Sequence, residues 1–460
     1  MNTDIIIDRN LKSRRKDSSV AEILRALNSE DIEYAVLRGC DELFRMTGYL
    51  EIDLLVRRSH LSRFSQTVSE LGFMELPSWG HAPHRFYVVF NKSRADWIKL
   101  DVVTDLRYGN PIRGFAIDLT EACLRERQHD DVYRLSPENE FVTLLLHCLL
   151  DKAEFREAHR KRLTELWRLL NEQAQTQKSA KQLTKRVLSP CFRWTDFEDG
   201  IKAQDWRGLL GKRKTLTRQL FWRAPLRNSW RTVSARIVRR LRPLLFAMRR
   251  RGYAAALLAP DGAGKSTLAG ELIKDRTLRA RGVYLGGNPQ ASKLCLPTTD
   301  WFHRRLKSAN GSLQSRSPHV LFLRALTFAT RLLEQWLRSL AANYHLLRGR
   351  IVIFDRYIYD SWINKKKNNL WKRVRKFMFE AGLPKPELVI FLDAPGDVLF
   401  ERKQEHTPEW LEQQRQAYLR LQDRLPNMHI INAASAPDKV KCEATDLIWE
   451  HYVMKVENKR

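Results

Sequence analysis

The sequence predicts two α/β-containing domains joined by a basic helical segment. From residue 252 onward the chain repeats strand, loop and helix, a pattern typical of a parallel sheet covered on both faces by helices. Residues 19–105 alternate short helices and strands, whereas residues 212–251 contain fourteen Lys or Arg and no Asp or Glu. We therefore expect an α+β domain with a helical extension at 18–190, a basic amphipathic helical linker at 191–250, and a parallel-sheet α/β domain at 251–456.

The composition is that of a folded, strongly basic protein. The net charge is +28 over 460 residues, which favours anionic partners such as nucleotides, a phospholipid surface or an acidic glycan; nucleic acid is disfavoured but stays open. The N-terminus lacks the apolar core of a signal peptide, and no uncharged apolar run approaches the ~20 residues that span a bilayer. We expect a cytoplasmic protein. Peripheral contact with the inner membrane surface and a homodimer both stay open.

Three carboxylates of the first domain lie on predicted strands. Glu51 and Asp53 are two residues apart, so their side chains point to the same face of one strand. Asp101 lies on a later strand and can complete a triad with them. Such a triad can hold two Mg²⁺ ions for nucleotidyl transfer. Glu51, Asp53 and Asp101 are therefore candidate metal ligands, and the alternative is an amphipathic strand with a solvated carboxylate face.

This arrangement resembles the nucleotidyltransferase superfamily of the polymerase-β type, in particular its small members associated with bacterial surface polysaccharide genes. The interval from Gly39 to Glu51 is typical of that superfamily. Two positions depart from its pattern, because Glu51 stands where Asp is usual and Cys40 replaces a small residue of the preceding turn. The resemblance implies nucleotidyl transfer, or a fold that has lost this chemistry. His81, His84 and His147 show no ligand spacing, and we expect structural roles for them.

The acid-free segment 212–251 has the periodicity of an amphipathic helix. Its apolar residues recur at three- and four-residue spacing, with an interruption expected near Pro225. They are Trp222, Leu226, Trp230, Val233, Ile237, Leu241, Leu245 and Met248. Two interpretations stay open: a solvated linker helix packed against its neighbours, or an element that binds an anionic membrane surface or another polyanion.

A glycine loop (residues 259–264) follows the first strand of the second domain. Residues 259–267 read Ala-Pro-Asp-Gly-Ala-Gly-Lys-Ser-Thr, between an apolar strand and a helix. Two glycines allow the tight curl whose backbone N–H groups, together with the helix N-terminus, hold phosphate. The lysine then contacts the β- and γ-phosphates, and the serine offers a hydroxyl to Mg²⁺. Ala259 stands where the general motif has its first glycine. The predicted nucleotide-binding residues are Asp261, Gly262, Ala263, Gly264, Lys265, Ser266 and Thr267.

The form PDGAGKST resembles the thymidylate kinase family, and two later segments extend the resemblance over roughly residues 252–456. One is Asp355-Arg356-Tyr357 at the end of a strand. The other is ELVIFLDAPGDVLFERK, which leads to Arg402 where the family has its mobile lid. The resemblance implies ATP and Mg²⁺ as cofactors, Asp355 as support for Mg²⁺ and the reacting phosphates, and Arg356 as the holder of the acceptor's phosphate. The predicted catalytic residues are Lys265, Asp355, Arg356 and Arg402, and the predicted metal ligands here are Ser266 and Asp355.

The resemblance is weaker on the acceptor side. After Asp360 the chain reads SWINKKKNNLWKRVRKF, which is strongly basic and lacks the stretch that thymidylate kinases carry near the base. Three functions therefore stay open. The first is a nucleoside monophosphate kinase that converts dTMP to dTDP or phosphorylates a related acceptor. The second is a kinase or nucleotidyltransferase for a sugar or lipid-linked precursor of bacterial surface polysaccharide. The third is a non-catalytic switch that binds ATP.

Overall fold

The chain divides into two compact units, Met1–Leu241 and Arg242–Arg460. The computed structural model describes residues 19–39, 50–76, 84–110, 114–129, 132–249, 252–286, 296–309, 318–363, 374 and 377–457. Cys40, His81 and most of the basic stretch after Asp360 lie outside these residues. Both units are mixtures of strands and helices, and each is described by itself.

The first unit contains short strands, most of which join one mixed sheet. They are β1 Tyr34–Val36, β2 Leu50–Val56, β3 Met74–Glu75, β4 Arg85–Asn91, β5 Asp96–Val103, β6 Arg107–Tyr108, β7 Phe115–Ala116, β8 Gln128–His129 and β9 Tyr133–Arg134. The sheet order is β3-β4-β5-β2-β1-β9-β8, and β6 pairs with β7 separately. The parallel register of β2 and β5 sets Asp53 opposite Asp101 and Glu51 opposite Lys99. This register brings the candidate metal ligands onto neighbouring strands.

Helices cover this sheet and continue well beyond it. They are α1 Val20–Ser29, α2 Leu61–Glu70, α3 Thr120–Arg125, α4 Pro137–Leu146, α5 Glu157–Glu172, α6 Ala174–Leu188, α7 Trp194–Lys202, α8 Trp206–Gly211, α9 Arg213–Arg223 and α10 Pro225–Arg249. A π-helical turn, His147–Lys152, extends α4. Ser19 and Glu22 form a capping box at the start of α1, so each satisfies a backbone N–H that the helix leaves without a partner.

The core of the first unit extends further along the chain than the sequence suggested. Phe197 of α7, together with Leu216 and Leu220 of α9, is buried in the same apolar cluster as Phe141 of α4. We expected a linker from residue 191, whereas in the structure residues up to 220 pack into this core. The interruption predicted near Pro225 is present, because α9 ends at Arg223 and α10 begins at Pro225. Proline suits a first helical turn, where its missing N–H costs nothing.

The second unit is built on a five-stranded sheet in which every pair of neighbouring strands is parallel. Its strands are β10 Tyr253–Leu258, β11 Arg281–Val283, β12 Ile351–Asp355, β13 Leu388–Asp393 and β14 Met428–Asn432. The order is β11-β12-β10-β13-β14. The central strand β10 is buried along its whole length, as expected for a parallel strand covered on both faces. The parallel sheet predicted for this half of the chain is confirmed.

The helices of the second unit connect or follow these strands. They are α11 Lys265–Lys274, α12 Pro297–Ala309, α13 Pro318–Leu347, α14 Gly396–Lys403, α15 Pro408–Leu419 and α16 Pro437–Glu457. A 3₁₀ segment, Ile358–Trp362, follows β12. Among the helices of the described residues, none combines the length and apolar character needed to cross a membrane.

The placement of α9 gives a test of where the first unit ends. Leu220→Ala removes a buried side chain of the core cluster, so we expect the free energy of unfolding of the first unit to fall by about 2–5 kcal/mol. Leu226→Ala, at an exposed position of α10, should change it by less than about 0.5 kcal/mol. Urea unfolding of the full chain, followed by hydrogen exchange in α4, measures both. Equal effects of the two substitutions would contradict this boundary.

Candidate functional site

The glycine loop lies at the carboxyl edge of the central strand of the second unit. β10 ends at Leu258, the loop covers residues 259–264, and α11 begins at Lys265. β12 and β13 flank β10 on either side, so their carboxyl ends, Asp355 and Asp393, lie at the same edge. Ligands of open parallel sheets bind at this edge, outside the ends of the strands.

Both glycines of the loop have conformations that other residues adopt only with strain. Gly262 has φ +90° and Gly264 has φ +80°, in the left-handed region that glycine enters freely. At Gly262 an added Cβ would also lie 2.7 Å from the carbonyl oxygen of Leu399 in α14. The loop therefore needs glycine at position 262 for two independent reasons.

Lys265 is the buried cation of this site. Its side chain lies in the first turn of α11, and Nζ donates to the carbonyl oxygen of Ala259 at 3.2 Å, across the glycine loop. Burial lowers the pKa of Lys265, while the nearby carboxylates Asp360 and Asp355 act in the opposite direction. The lysine therefore has acidic neighbours on one side and the loop on the other. Ser266 and Thr267 follow it, exposed at the start of the helix.

An ion pair joins the glycine loop to the residue after β12. Arg356 Nη2 donates to Asp261 Oδ1 at 2.7 Å. Burial alone would raise the pKa of Asp261, but the guanidinium of Arg356 and the nearby lysines outweigh it, and the pKa is lowered. Arg356 itself has φ +73°, a left-handed conformation that is uncommon for a non-glycine residue and that concentrates at functional sites.

Two carboxylates beside Lys265 have buried oxygens without hydrogen-bond partners in the described part of the chain. These atoms are Oδ1 of Asp355 and Oδ2 of Asp360. Asp360 accepts a hydrogen bond from the Tyr418 hydroxyl at 2.9 Å through its other oxygen, and burial raises the pKa of Asp360. Buried polar atoms in native structures are almost always satisfied. The two oxygens therefore mark a place where a cation or a hydrogen-bond donor fits.

The predicted lid residue Arg402 lies on α14, the helix whose Leu399 carbonyl oxygen adjoins Gly262 of the glycine loop. Its Nη1 donates to the carbonyl oxygen of Ala433, just after β14, at 2.8 Å. Arg415 of α15 forms a bidentate ion pair with Asp393, at 2.6 and 3.0 Å. The structure thus brings Lys265, Asp355 and Arg356 together with the loop, while Arg402 reaches the segment that follows the last strand.

The three predicted carboxylates of the first unit converge. Glu51, Asp53 and Asp101 each place one carboxylate oxygen within 4.8 Å of the other two. The cause is the parallel register, which puts Asp53 beside Asp101, and the period of two along β2, which puts Glu51 on the same face. Carboxylate oxygens in such a cluster can bind a divalent cation of the hard class, such as Mg²⁺.

Each of these carboxylates already has a basic partner. Arg38 donates from Nε and Nη2 to Asp53 at 2.9 and 2.7 Å. Lys99 Nζ lies 2.5 Å from Glu51. His84 Nδ1 lies 2.6 Å from Asp101. A cation that binds here competes with these partners.

The spacing of residues in the sequence does not reveal these partners. We expected a structural role for His84, but it is two residues before Phe86, the register partner of Asp101, so it shares a sheet face with that carboxylate. Lys99 pairs with Glu51 for a similar reason, because the two are register partners. A correct β2–β5 and β4–β5 register, had it been available from the sequence, would have found both.

The comparison with known families concerns the second unit. The family model described as thymidylate kinase matches residues 260–444. A protein of Archaeoglobus fulgidus described as a probable thymidylate kinase is 27% identical over 145 residues, which are 31% of this chain and 64% of the relative. One of Pyrococcus horikoshii with the same description is 28% identical over 210 residues, which are 43% of this chain and 96% of the relative.

The matched region contains residues 260–264 of the glycine loop, Asp355, Arg356 and α15, so the similarity covers most of the site described above. It supports a kinase-like phosphotransferase at the level of the family. The second unit is thus similar to the thymidylate kinases over a large part of its length.

His147 gives the first unit a pH dependence of stability. Burial, with help from Arg38, lowers the pKa of His147 to about 4, whereas an unfolded histidine titrates near 6.5. Between these values the unfolded state binds more protons, so the free energy of unfolding falls as the pH drops from 6.5 to 4, by roughly 3 kcal/mol. His147→Gln should remove this component of the pH dependence in urea titrations. His129→Gln, at an exposed position, should retain it. Identical pH profiles for the two variants would refute the assignment.

Proposed function

We propose that the second unit transfers the γ-phosphoryl group of Mg·ATP to a phosphorylated acceptor, a nucleoside monophosphate such as dTMP or a related compound. The observation that carries the proposal is one cluster around the glycine loop: a buried lysine, an arginine, and two carboxylates with an open oxygen each. Phosphoryl transfer depends mainly on positioning and on charge neutralisation, and this cluster has the groups for both.

The nucleotide phosphates fit the glycine loop. The curled loop and the N-terminus of α11 can offer backbone N–H groups to phosphate, and Lys265 adds a positive charge. Mg²⁺ fits beside it, with the hydroxyl of Ser266 and the open oxygen of Asp355 as ligands. When bound, Mg²⁺ neutralises charge on the transferred phosphoryl group. The loop and Lys265 orient the γ-phosphate towards the acceptor.

The acceptor phosphate fits Arg356. In the structure Nη2 of this guanidinium donates to Asp261, which holds the arginine at the edge of the loop. The other nitrogens of the guanidinium can donate to a phosphate. Asp360 lies near Lys265 and Arg356 and is held by Tyr418. Its open oxygen can accept a hydrogen bond from a hydroxyl of the acceptor. The pair Asp261–Arg356 and the pair Asp360–Tyr418 are the candidates for positioning the acceptor.

Several acceptors are compatible with this proposal. The relatives' names favour dTMP. A sugar-based or lipid-linked precursor remains the alternative, since the basic residues after Asp360 differ from those of thymidylate kinases. A switch that binds ATP without catalysis is the least favoured, because the loop, Lys265, Asp355 and Arg356 are all present.

A second activity is proposed for the first unit: nucleotidyl transfer that depends on divalent cations. The observation that favours it is the convergence of Glu51, Asp53 and Asp101 on one sheet face. The ion pairs of Arg38 and Lys99 with this triad reduce its net negative charge. We therefore expect weak binding of the metal, which the phosphates of a nucleotide would strengthen by bringing further ligands.

The kinase proposal is tested by ADP release with the full chain over nucleoside monophosphates, sugar phosphates and lipid-linked glycans. We expect turnover that an acceptor stimulates, and Lys265→Ala should lower kcat by at least about a hundredfold, because it removes the charge that is fixed at the phosphates. Lys274→Ala is the matched control. Lys274 is an exposed lysine of the same helix that pairs with Glu271, and its loss should change kcat by less than about twofold.

The acceptor panel separates the alternatives. Robust turnover of dTMP excludes the glycan acceptor as the main substrate, and turnover of a sugar phosphate alone excludes dTMP. If ATP binds but no acceptor stimulates ADP release, the switch is the better account and the kinase proposal is wrong.

The metal proposal is tested by titration with Mn²⁺ as a spectroscopic probe, in an Asp355→Asn background that removes the proposed ligand of the second unit. Lys99→Met should raise the Mn²⁺ affinity about fivefold, since it removes a cation that competes for Glu51. Asp53→Asn should lower the affinity. Lys161→Met, at an exposed lysine of α5, is the charge-matched control. Absence of Mn²⁺ binding in all of these proteins would rule out the metal site.

A further inference from the structure

The first part of α10 turns a polar face towards its own unit. Asn228, Arg231, Thr232 and Ala235 are spaced as one helical face, and all are buried or half-buried. Asn228 is only 4% exposed and donates from Nδ2 to the carbonyl oxygens of Leu220 and Phe221 at 3.0 and 3.1 Å. These bonds fix which face of α10 points towards α9.

The apolar face of the same helix points to solvent. Leu226, Trp230, Val233, Ile237 and Leu241 recur at intervals of three and four residues, so they form one stripe along the helix. Leu226 is 87% exposed and Trp230 is 71% exposed, and the other three are also exposed. Trp222, at the end of α9, is exposed as well. An ordinary amphipathic helix buries this stripe, and here the orientation is inverted.

The residues that flank the stripe are basic and lack acidic partners. Arg227, Arg236 and Arg240 are exposed, and none of them forms an ion pair with a described residue. The segment 212–251 contains no Asp or Glu. The solvent-facing apolar stripe thus lies between arginines whose charge no acidic side chain of the described residues pairs with.

We propose that this face, the docking face (residues 222–241), binds an anionic membrane surface. An apolar stripe that contains Trp230, together with the exposed Trp222, suits the boundary between headgroups and acyl chains, and the flanking arginines suit anionic headgroups. A second copy of the chain fits less well, because two such helices would bring arginines together without a carboxylate. A nucleic acid would match the arginines but would leave Leu226, Val233 and Ile237 in water.

The test is flotation of the full-length protein with vesicles of phosphatidylglycerol and phosphatidylcholine, or of phosphatidylcholine alone. We expect the protein to float with the anionic vesicles at low salt and not with the zwitterionic ones. Binding should weaken at ~1 M salt, where the Debye length is ~3 Å, without disappearing from anionic vesicles. No flotation with anionic vesicles at low salt would overturn the proposal.

Two pairs of variants separate the apolar stripe from the charges. Leu226→Ser with Trp230→Ser should lower the partition coefficient at least about tenfold, since one buried large apolar side chain contributes more than a decade in affinity. The matched control is Leu321→Ser with Phe322→Ser, at exposed positions of α13. Arg236→Gln with Arg240→Gln should also weaken binding, unlike Lys161→Gln with Lys202→Gln on other helices of the first unit.

The remaining outcomes decide between partners. Because Leu226 and Trp230 are exposed, the variant with both serine substitutions should unfold at the same temperature as the wild type. A loss of its membrane binding would then not be due to a loss of folding. Flotation that the serine variants do not weaken would overturn the proposal. So would a concentration-dependent dimer that the serine variants abolish without any flotation, or binding to RNA alone that only the arginine variants weaken.

Discussion

The site of the second unit depends on the parallel register of its central strands. Leu257 of β10 lies opposite Asp355 of β12. This pairing fixes the position of Asp355, at the end of β12, relative to the glycine loop that follows β10. The ion pair between Asp261 and Arg356 then joins the glycine loop, which follows β10, to the segment that follows β12. A shift of one residue in this register would turn Asp355 to the other face of the sheet. The groups proposed to hold the nucleotide phosphates and the acceptor therefore come together through the pairing of these strands.

The first unit uses the same device with a different electrostatic result. Its register places Asp53 beside Asp101, but the carboxylates there are met by Arg38, Lys99 and His84. In the second unit, Asp355 and Asp360 keep one buried oxygen each without a partner among the described residues. The two clusters of carboxylates thus differ in whether a bound cation would have to displace basic side chains from them. This difference makes the kinase-like site the stronger functional candidate.

The sequence could predict the features that depend on local pattern. The glycine loop, its strand and its helix follow from a short motif, and the shared face of Glu51 and Asp53 follows from the period of a strand. The partners of the carboxylates could not be predicted, because they depend on the pairing of strands distant in sequence. The extent of the first unit was missed for a related reason, since the basic residues of α9 concealed the two leucines, Leu216 and Leu220, that reach the core.

Periodicity also cannot tell which face of an amphipathic helix is inside, and α10 is a case where this matters. Its exposed apolar side chains could each contribute about 1.5–3 kcal/mol if they were buried, whereas the hydrogen bonds of Asn228 contribute only about 1 kcal/mol each. Rotation of α10 by half a turn would bury the stripe, but it would break these bonds and bring Arg227 and Arg240 towards the core. The observed orientation places one such group inward, since Nη1 of Arg231 is buried without a partner among the described residues, whereas the rotation would place two there. The outward orientation therefore desolvates fewer guanidinium groups, and binding to the proposed anionic surface would bury the stripe without rotating the helix.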